Sequence, residues 1–578
     1  MKLLIISCIL LLLWLARLAF SFYVNRQQAQ RIGLPIIISP IEPSNPAWIL
    51  GQKIVMPLLR RLPFRLGKWV KVCYRGSQYD NKYAIHAELG DAWTLVTPSG
   101  NSVFLADSDA VEYVLRNRNS FPKPTRIYQL FEIFGPNLLT SEGDTFKRHR
   151  KVCGAFPFSE RRMASVWREA LCQASQLQEY WLSNKHRALS STVEDATVLT
   201  MHVLTFAAFN IAYPFRRGND ISAKDMDFRD AFSFLLCNSL IIAGVPRQIL
   251  EMPFIPLSWA KVGQAIHTVK AYIQVLIEQE KALYIGGSIG GHNLVSDLVR
   301  DSWDSKQATT FPKKRYSLST TLPRMSLTEA EIFSNVFMFM AAGHDTVTQT
   351  LSYSILYLAT YPEWQRWIAE EIQAITLDNA DIEKWDYEAL FPRFKRCKAI
   401  MFEILRLAPI IAAIPKYTAE RDQNITAAGK TFTIPRRTLV FPNMMALHTH
   451  PTYWGADATS FRPSRWVTTD AEDKHPESVG CPTVSSLARE SLLVPPRGFY
   501  FPWSDGPRAC PGKKLAQVEV TAVLAYLFRD HFVEMVLRPN ETFAAAQQRF
   551  AAKLHEYRLM FSLKIRDPKN MVVRWVQQ

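Results

Sequence analysis

Apolar side chains dominate residues 3–24, and the one charge among them is Arg17, past the middle. The run is long enough for one membrane helix. Arg17 can snorkel toward the exit side. Arg26 and Arg31 follow the run and only Lys2 precedes it, which predicts that the remainder of the chain lies in the cytosol. A cleaved signal peptide is the alternative, but no small-x-small cleavage site follows. Prolines at 35, 40, 43 and 46 then predict a stiff, extended connector. Residues 44–79 carry no acid. There, Lys53, Arg60, Arg61, Arg65, Lys68, Lys71 and Arg75 are mixed with Trp48, Leu50, Leu58, Phe64 and Trp69. That pattern suits a membrane-surface contact, or a solvated helix packed on a core.

Alternation at Trp93-Thr-Leu-Val-Thr and Ser102-Val-Phe-Leu-Ala predicts a strand pair, with a helix from Asp109. Residues 160–300 read as helix-rich. Gly286–Gly291 is a glycine cluster without the Gly-Lys-[Ser/Thr] of a phosphate loop, so a plain loop is expected. Residues 302–325 and 467–496 read as inserted loops. Between them, Ser326-Leu-Thr-Glu329 forms a capping-box pattern. It opens a helix ending before Pro362, about 50 Å long at 1.5 Å per residue. At its middle stands Ala341-Ala-Gly-His-Asp-Thr346. Phe339, Ala342 and Thr346 share one face. Gly343 costs about 1 kcal/mol relative to alanine inside a helix, so a close neighbour is expected there. Asp345-Thr346 is an unusual polar pair in an apolar helix.

The 578 residues include 48% hydrophobic and 12% aromatic residues, enough for a large core. Lys and Arg total 68 against 52 Asp and Glu, a net charge of +16. That favours an anionic membrane or an acidic protein; no nucleic-acid module is present. Eight scattered cysteines with no C-x-x-C pair predict a reduced compartment, not a disulfide or zinc scaffold. One of them stands apart. Trp503-Ser-Asp-Gly506-Pro-Arg508-Ala-Cys510-Pro-Gly512 reads as a tight loop, with glycines for positive φ or close approach. A helix follows from Lys513. Cys510 therefore sits by a helix N-terminus and two residues from Arg508, both of which favour thiolate over thiol. Such a thiolate suits the axial position of a haem iron.

These stretches resemble the cytochrome P450 superfamily. Its haem loop reads F-x-x-G-x-R-x-C-x-G, from which residues 503–512 differ only by Trp503. Its central helix reads [AG]-G-x-[DE]-T, as at 342–346. Glu403-Ile-Leu-Arg406, followed by Leu-Ala-Pro, resembles its E-x-x-R. Phe461-Arg-Pro-Ser-Arg465-Trp466 resembles F-x-P-x-R-[FW]. Phe146-Lys-Arg-His-Arg150 matches W-x-x-x-R except at Phe146.

The resemblance implies a mainly α fold with small β-sheets, preceded by a single transmembrane helix. It divides the chain into an anchor (1–24), a proline-rich hinge (25–47) and a catalytic domain (48–578). Cys510 would ligate the iron of haem b, with Trp503, Gly506, Arg508 and Gly512 shaping the loop. Arg150 and Lys416 would hold propionates. Ala342 and Gly343 would make room for dioxygen, and Asp345 and Thr346 would deliver protons. Glu403, Arg406 and Arg465 would form a structural ion network. His448 and His450 lack a third ligand and are not expected to bind metal. The implied activity is monooxygenation of a lipophilic small molecule, a secondary-metabolite intermediate in the pattern of filamentous fungi. Electrons would come from NADPH through a cytochrome P450 reductase docked near Lys513 and Lys514, at the endoplasmic reticulum membrane. A haem-thiolate isomerase or dehydratase, or a non-catalytic haem-binding membrane protein, are the alternatives. The sequons at Asn424 and Asn540 would stay unused in the cytosol.

Overall fold

A computed structural model describes residues 2–578 apart from 62–66, 129–130, 156–159, 184–187, 216–227, 239–240, 243–244, 246, 251, 253, 287–292, 301, 303–325, 378–380, 470–486 and 560–561. Phe64, Arg65, most of the glycine cluster and most of both inserted loops thus lie outside the described residues. The chain forms two compact units. One comprises Met1–Pro124, Leu405–Phe461 and Val494–Cys510; the other comprises Thr125–Ile404, Arg462–Leu493 and Pro511–Gln578.

The first unit begins with α1 (Lys2–Ile32). Ile5–Ile32 has the length and hydropathy of a membrane span, and the side chains of its first half are exposed. The helix does not end at residue 24. It continues to Ile32, and its last turns are docked on the fold. Ser21 Oγ donates to Pro98 O (2.7 Å), Asn25 Nδ2 donates to Thr97 O (2.9 Å), and Ala29 and Ile32 are buried. Residues 25–32 are therefore helix rather than hinge. Gly33, at φ 80°, ends it.

The proline segment is extended, as its composition dictates, but it is also paired. β1 (Ile36–Ile38) runs parallel to β2 (Ala92–Thr97), which pairs antiparallel with β3 (Gly100–Leu105). β4 (Lys416–Tyr417) and β7 (Leu439–Pro442) complete a five-stranded sheet in the order β1-β2-β3-β7-β4. A separate hairpin is formed by β5 (Gln423–Ala427) and β6 (Lys430–Ile434). Trp93, Phe104 and Phe441 stack across the large sheet, with centroids 4.3 and 4.9 Å apart. α2 (Pro46–Arg61) turns Trp48, Gln52 and Met56 inward, at i, i+4, i+8. Trp48 Nε1 donates to Cys73 O. Leu50, Ile54 and Leu58 form the opposite, exposed stripe. α3 (Ser108–Arg116) is capped by Asp107, which accepts from Ala110 N, and buries Val111, Val114 and Leu115.

The second unit is mostly helical. Its helices include α4 (Gly143–Ala155), α5 (Glu160–Leu182), α6 (Thr192–Phe209), α7 (Phe228–Cys237), α8 (Leu257–Ile285) and α9 (Glu329–Thr360). α10 (Pro362–Thr376), α11 (Lys395–Leu407), α12 (Lys513–Leu527) and α13 (Phe543–His555) follow; the last turn of α11 belongs to the first unit. Three two-stranded pieces accompany them. β8 (Val467–Thr469) pairs with β9 (Glu490–Leu492), β10 (His531–Met535) with β13 (Val573–Gln577), and β11 (Tyr557–Leu559) with β12 (Leu563–Ile565).

α9 is the axis of this unit. Its N-cap is Thr328, not Ser326. Thr328 Oγ1 accepts from Glu331 N while the Glu331 carboxylate accepts from Thr328 N, so the capping box sits two residues later than the sequence pattern placed it. From Glu331 to Thr360, every residue is buried except Phe333, Phe339, Ala342, Gly343 and Thr346. A polar residue in such a helix needs a partner, and Thr348 finds one in Thr200 of α6 (2.6 Å between hydroxyls).

Candidate functional site

The cysteine loop belongs to the first unit and is closed by its own backbone. Cys510 N donates to Trp503 O (2.8 Å), Ala509 N to Gly506 O (3.0 Å) and Ser504 N to Phe501 O (2.8 Å). Asp505 accepts from Gly506 N. Gly506 has φ 65°, and a Cβ there would come within 2.9 Å of Leu115 O and 3.0 Å of Arg116 Cα. This position thus needs glycine twice over, for its dihedral and for close approach to α3. Gly512 differs from expectation. It caps α12 at φ −82°, a conformation open to any residue, so its backbone dihedral gives no reason for glycine. Arg508 is buried, whereas Cys510 is exposed.

That exposure separates Cys510 from the structural thiols. Cys73, Cys153 and Cys397 are buried; burial pushes Cys73 up to about 11 and Cys397 well above its ordinary range. Cys8 and Cys172 are exposed, and Cys481 lies outside the described residues. Among the described residues no three His, Cys, Asp or Glu side chains gather as a metal cage. A single exposed cysteine with no cage of protein ligands around it would suit an iron whose remaining ligands come from a macrocycle, so the loop fits a haem-thiolate centre.

The loop is braced from behind. The Arg406 guanidinium donates to His448 O (2.8 Å), to Ala458 O and to Ser460 O (3.1 Å), and lies over the Trp454 ring. Burial first, and then the Arg406 charge, push the His448 imidazole down to about 3. It therefore stays neutral, and its Nε2 accepts from Phe501 N (3.2 Å) where the loop begins. His450 accepts from Thr452 N and contacts Asp91. Both histidines thus have structural work. Glu403, in the second unit, has no exposed surface. It accepts from Arg462 N (2.9 Å), Arg465 Nε (3.1 Å) and Trp466 Nε1 (2.9 Å). The Glu403–Arg465 pair was expected; the part played by Trp466 and by His448 was not. Neither neighbour carries a local sequence signal for these contacts.

In the second unit, Phe339, Ala342, Gly343 and Thr346 form a half-exposed stripe at i, i+3, i+4, i+7 along the otherwise buried centre of α9. The close neighbour required by Gly343 is Leu204 of α6, whose methyls would lie 3.1 Å from an added Cβ. Packing therefore accounts for this glycine. Thr346 Oγ1 donates to Ala342 O (2.7 Å), which leaves its oxygen free to accept. Asp345 is buried and ion-paired; its Oδ1 lies 2.7 Å from Lys564 Nζ, and its Oδ2 accepts from Ser562 Oγ. His344 is buried, with Phe232 edge-on to it, and burial pushes it down to about 4.

Arg150 lies on α4 and Phe146, on the same helix, is buried in the core. Sequence reading missed their neighbours. Arg148 makes a bidentate pair with Glu331 (2.5 and 2.9 Å), and His149 Nδ1 meets Asn335 Nδ2 (2.9 Å). Asn335 Oδ1 in turn accepts from Leu138 N, and Ser334 donates to Gly135 O. Residues 135–138 are thus tied to α9. Phe134 packs edge-on against Phe333 and Phe337 of α9, both at 4.8 Å. Lys416 is wholly buried on β4, opposite Val440.

Replacing Glu403 by Gln should lower the stability of the folded chain by about 3 kcal/mol, because Arg465 would keep a buried charge without its counter-charge. Thermal unfolding measures this; an unchanged midpoint would remove the pair from the framework.

Comparison with known proteins gives a consistent result. The family model described as Cytochrome P450 matches residues 56–556. The chain is similar to a cytochrome P450 monooxygenase of Arthrobotrys oligospora, 30% identical with 94% of each chain covered. It is also similar to the phomenoic acid biosynthesis cluster cytochrome P450 monooxygenase of Leptosphaeria maculans, 26% identical with 94% of each covered. A third is a cytochrome P450 monooxygenase of Penicillium rubens, 27% identical over 88% of this chain and 87% of that one.

Proposed function

The chain belongs to the cytochrome P450 family, and from that premise we propose a membrane-anchored haem-thiolate monooxygenase acting on a lipophilic secondary-metabolite intermediate. The observation that carries the site assignment is the exposed Cys510 on a closed, glycine-bearing loop; within the second unit, one half-exposed stripe on an otherwise buried helix is consistent with it. Haem, when bound, supplies the iron at which dioxygen is activated. The protein does the rest. Cys510 holds the iron as thiolate, and Arg508 and Trp503 shape its loop. Arg150 and Lys416 are cations suited to the two propionates. Ala342 is small enough to leave room beside Thr346. The Thr346 oxygen, its own proton committed to Ala342 O, accepts a hydrogen bond from water. Asp345, a paired carboxylate one residue away, orders the same water. The acid and alcohol together favour an oxygenase over an isomerase, which needs no proton delivery to dioxygen.

Phe131, Phe134, Phe232, Phe333 and Phe337 belong to one apolar cluster, and that apolar surrounding of α9 favours a lipophilic substrate. The biosynthetic-cluster name of the Leptosphaeria relative favours a secondary metabolite. Electrons would come from NADPH through a separate reductase. Lys513 is exposed on α12 and Lys514 lies 3.7 Å from Glu160; both are cations that suit an acidic reductase surface. The exposed apolar half of α1, with Arg26 and Arg31 beyond it, supports a single span at the endoplasmic reticulum with the catalytic part cytosolic.

With a reductase and NADPH, product should carry one oxygen-18 atom from labelled dioxygen, and NADPH alone should give none. Thr346→Ala should lower product per NADPH by roughly tenfold to a hundredfold and raise peroxide release. Product without label would reject the oxygenase. A chain lacking residues 2–24 should leave the carbonate-resistant membrane fraction yet still bind anionic vesicles through the Leu50, Ile54, Leu58 stripe. Replacing these three by Ser should release it; vesicle binding that survives would assign the stripe to solvent.

A further inference from the structure

Asp345 lies 217 residues before Ser562, yet the two meet at a hydrogen bond, and Lys564 completes the contact. Both partners lie on the C-terminal hairpin, Ser562 just before β12 and Lys564 within it. β12 is registered against β11 by Leu559↔Leu563, Arg558↔Lys564 and Tyr557↔Ile565. A buried carboxylate is tolerated only if paired and hydrogen-bonded. Here each oxygen has its own partner: Oδ1 the ammonium, Oδ2 the hydroxyl. The side chain of Asp345 is 4% exposed and that of Lys564 21%, so the cluster meets solvent at its cationic end. No other group nearby on α9 compensates the charge. His344 is neutral, and its ring is packed with Phe232.

We propose that Lys564 and Ser562 are positioning residues that fix Asp345 as a carboxylate in one orientation beside Thr346. This rests on the monooxygenase reading above. A carboxylate has about four acceptor sites, so one on each oxygen remains after these two bonds. Asp345 then serves as a fixed acceptor that orients water, not as a store of the proton. The strength of that acceptor is set by a strand near the C-terminus. Without the ammonium the carboxyl would either protonate or swing toward another donor, and the water next to Thr346 would lose its anchor. The hairpin and the centre of α9 thus form one functional unit, although no sequence motif links them.

Two readouts test this on the purified full chain. In a double-mutant cycle, Lys564→Met should lower the thermal midpoint by about 5 °C in the native background and by little in an Asp345→Asn background. Equal drops in both backgrounds would overturn the pairing. With reductase and NADPH, Lys564→Met and Ser562→Ala should slow NADPH oxidation, by about tenfold for Lys564→Met. The solvent isotope effect in D2O should rise, because proton delivery becomes limiting. Reduction by dithionite should not change, and Lys564→Arg should recover most of the rate. An unchanged isotope effect in folded, active Lys564→Met protein would overturn the positioning role. Native protein that binds no haem would instead reject the oxygenase reading, and the thermal cycle would still decide the pairing.

Discussion

A sulfur can serve as a strong, fixed ligand only if the backbone presenting it cannot relax. The loop that carries Cys510 is held in that way within the first unit. The loop from Trp503 to Cys510 is closed by its own amide bonds. Gly506 lets it press against α3, where any side chain would strike Leu115 O. Its entrance is pinned by the neutral ring of His448, and the carbonyl of His448 is pinned by Arg406. Arg406 is wholly buried; its charge is spread over three carbonyls and the face of Trp454. That is the arrangement in which a buried guanidinium is tolerated. Arg406 therefore reaches the cysteine loop through an intermediate histidine.

The second unit answers a different constraint. A helix buried along nearly its whole length must satisfy most of the polar side chains it carries; among the described residues of α9, only His344, Gln349 and Tyr353 keep buried side-chain atoms without a hydrogen-bond partner. Thr346, Thr350, Ser352, Ser354 and Thr360 donate to the carbonyl four residues back. Thr348 uses Thr200, Asn335 uses residues of α4 and the preceding loop, and Asp345 uses the C-terminal hairpin. What is left partly open is the stripe from Phe339 to Thr346.

Much of this was legible in the sequence because it is local. The strand pair at 92–105, the helix of about 32 residues ending before Pro362, and the turn around Gly506 follow from periodicity, capping and turn chemistry within short windows. The errors were also local. The capping box has two overlapping solutions, Ser326 with Glu329 and Thr328 with Glu331, and the chain uses the second. The anchor helix overran its apolar segment because Ala29 and Ile32 dock on the sheet. The close neighbour expected at Gly343 is Leu204, although its identity could not be read from the sequence. What could not be read is long-range: Lys564 on Asp345, His448 under Phe501, and Arg148 on Glu331 join residues far apart in the chain. Nothing in a window of ten residues marks them.

The carbon-monoxide difference spectrum of the dithionite-reduced protein, recorded beside Cys510→Ser, tests the central claim most directly. The account predicts a red-shifted Soret band in the native chain and its loss in the variant, since only a thiolate gives that shift. An imidazole-like band, or a red-shifted band that survives the substitution, would contradict it.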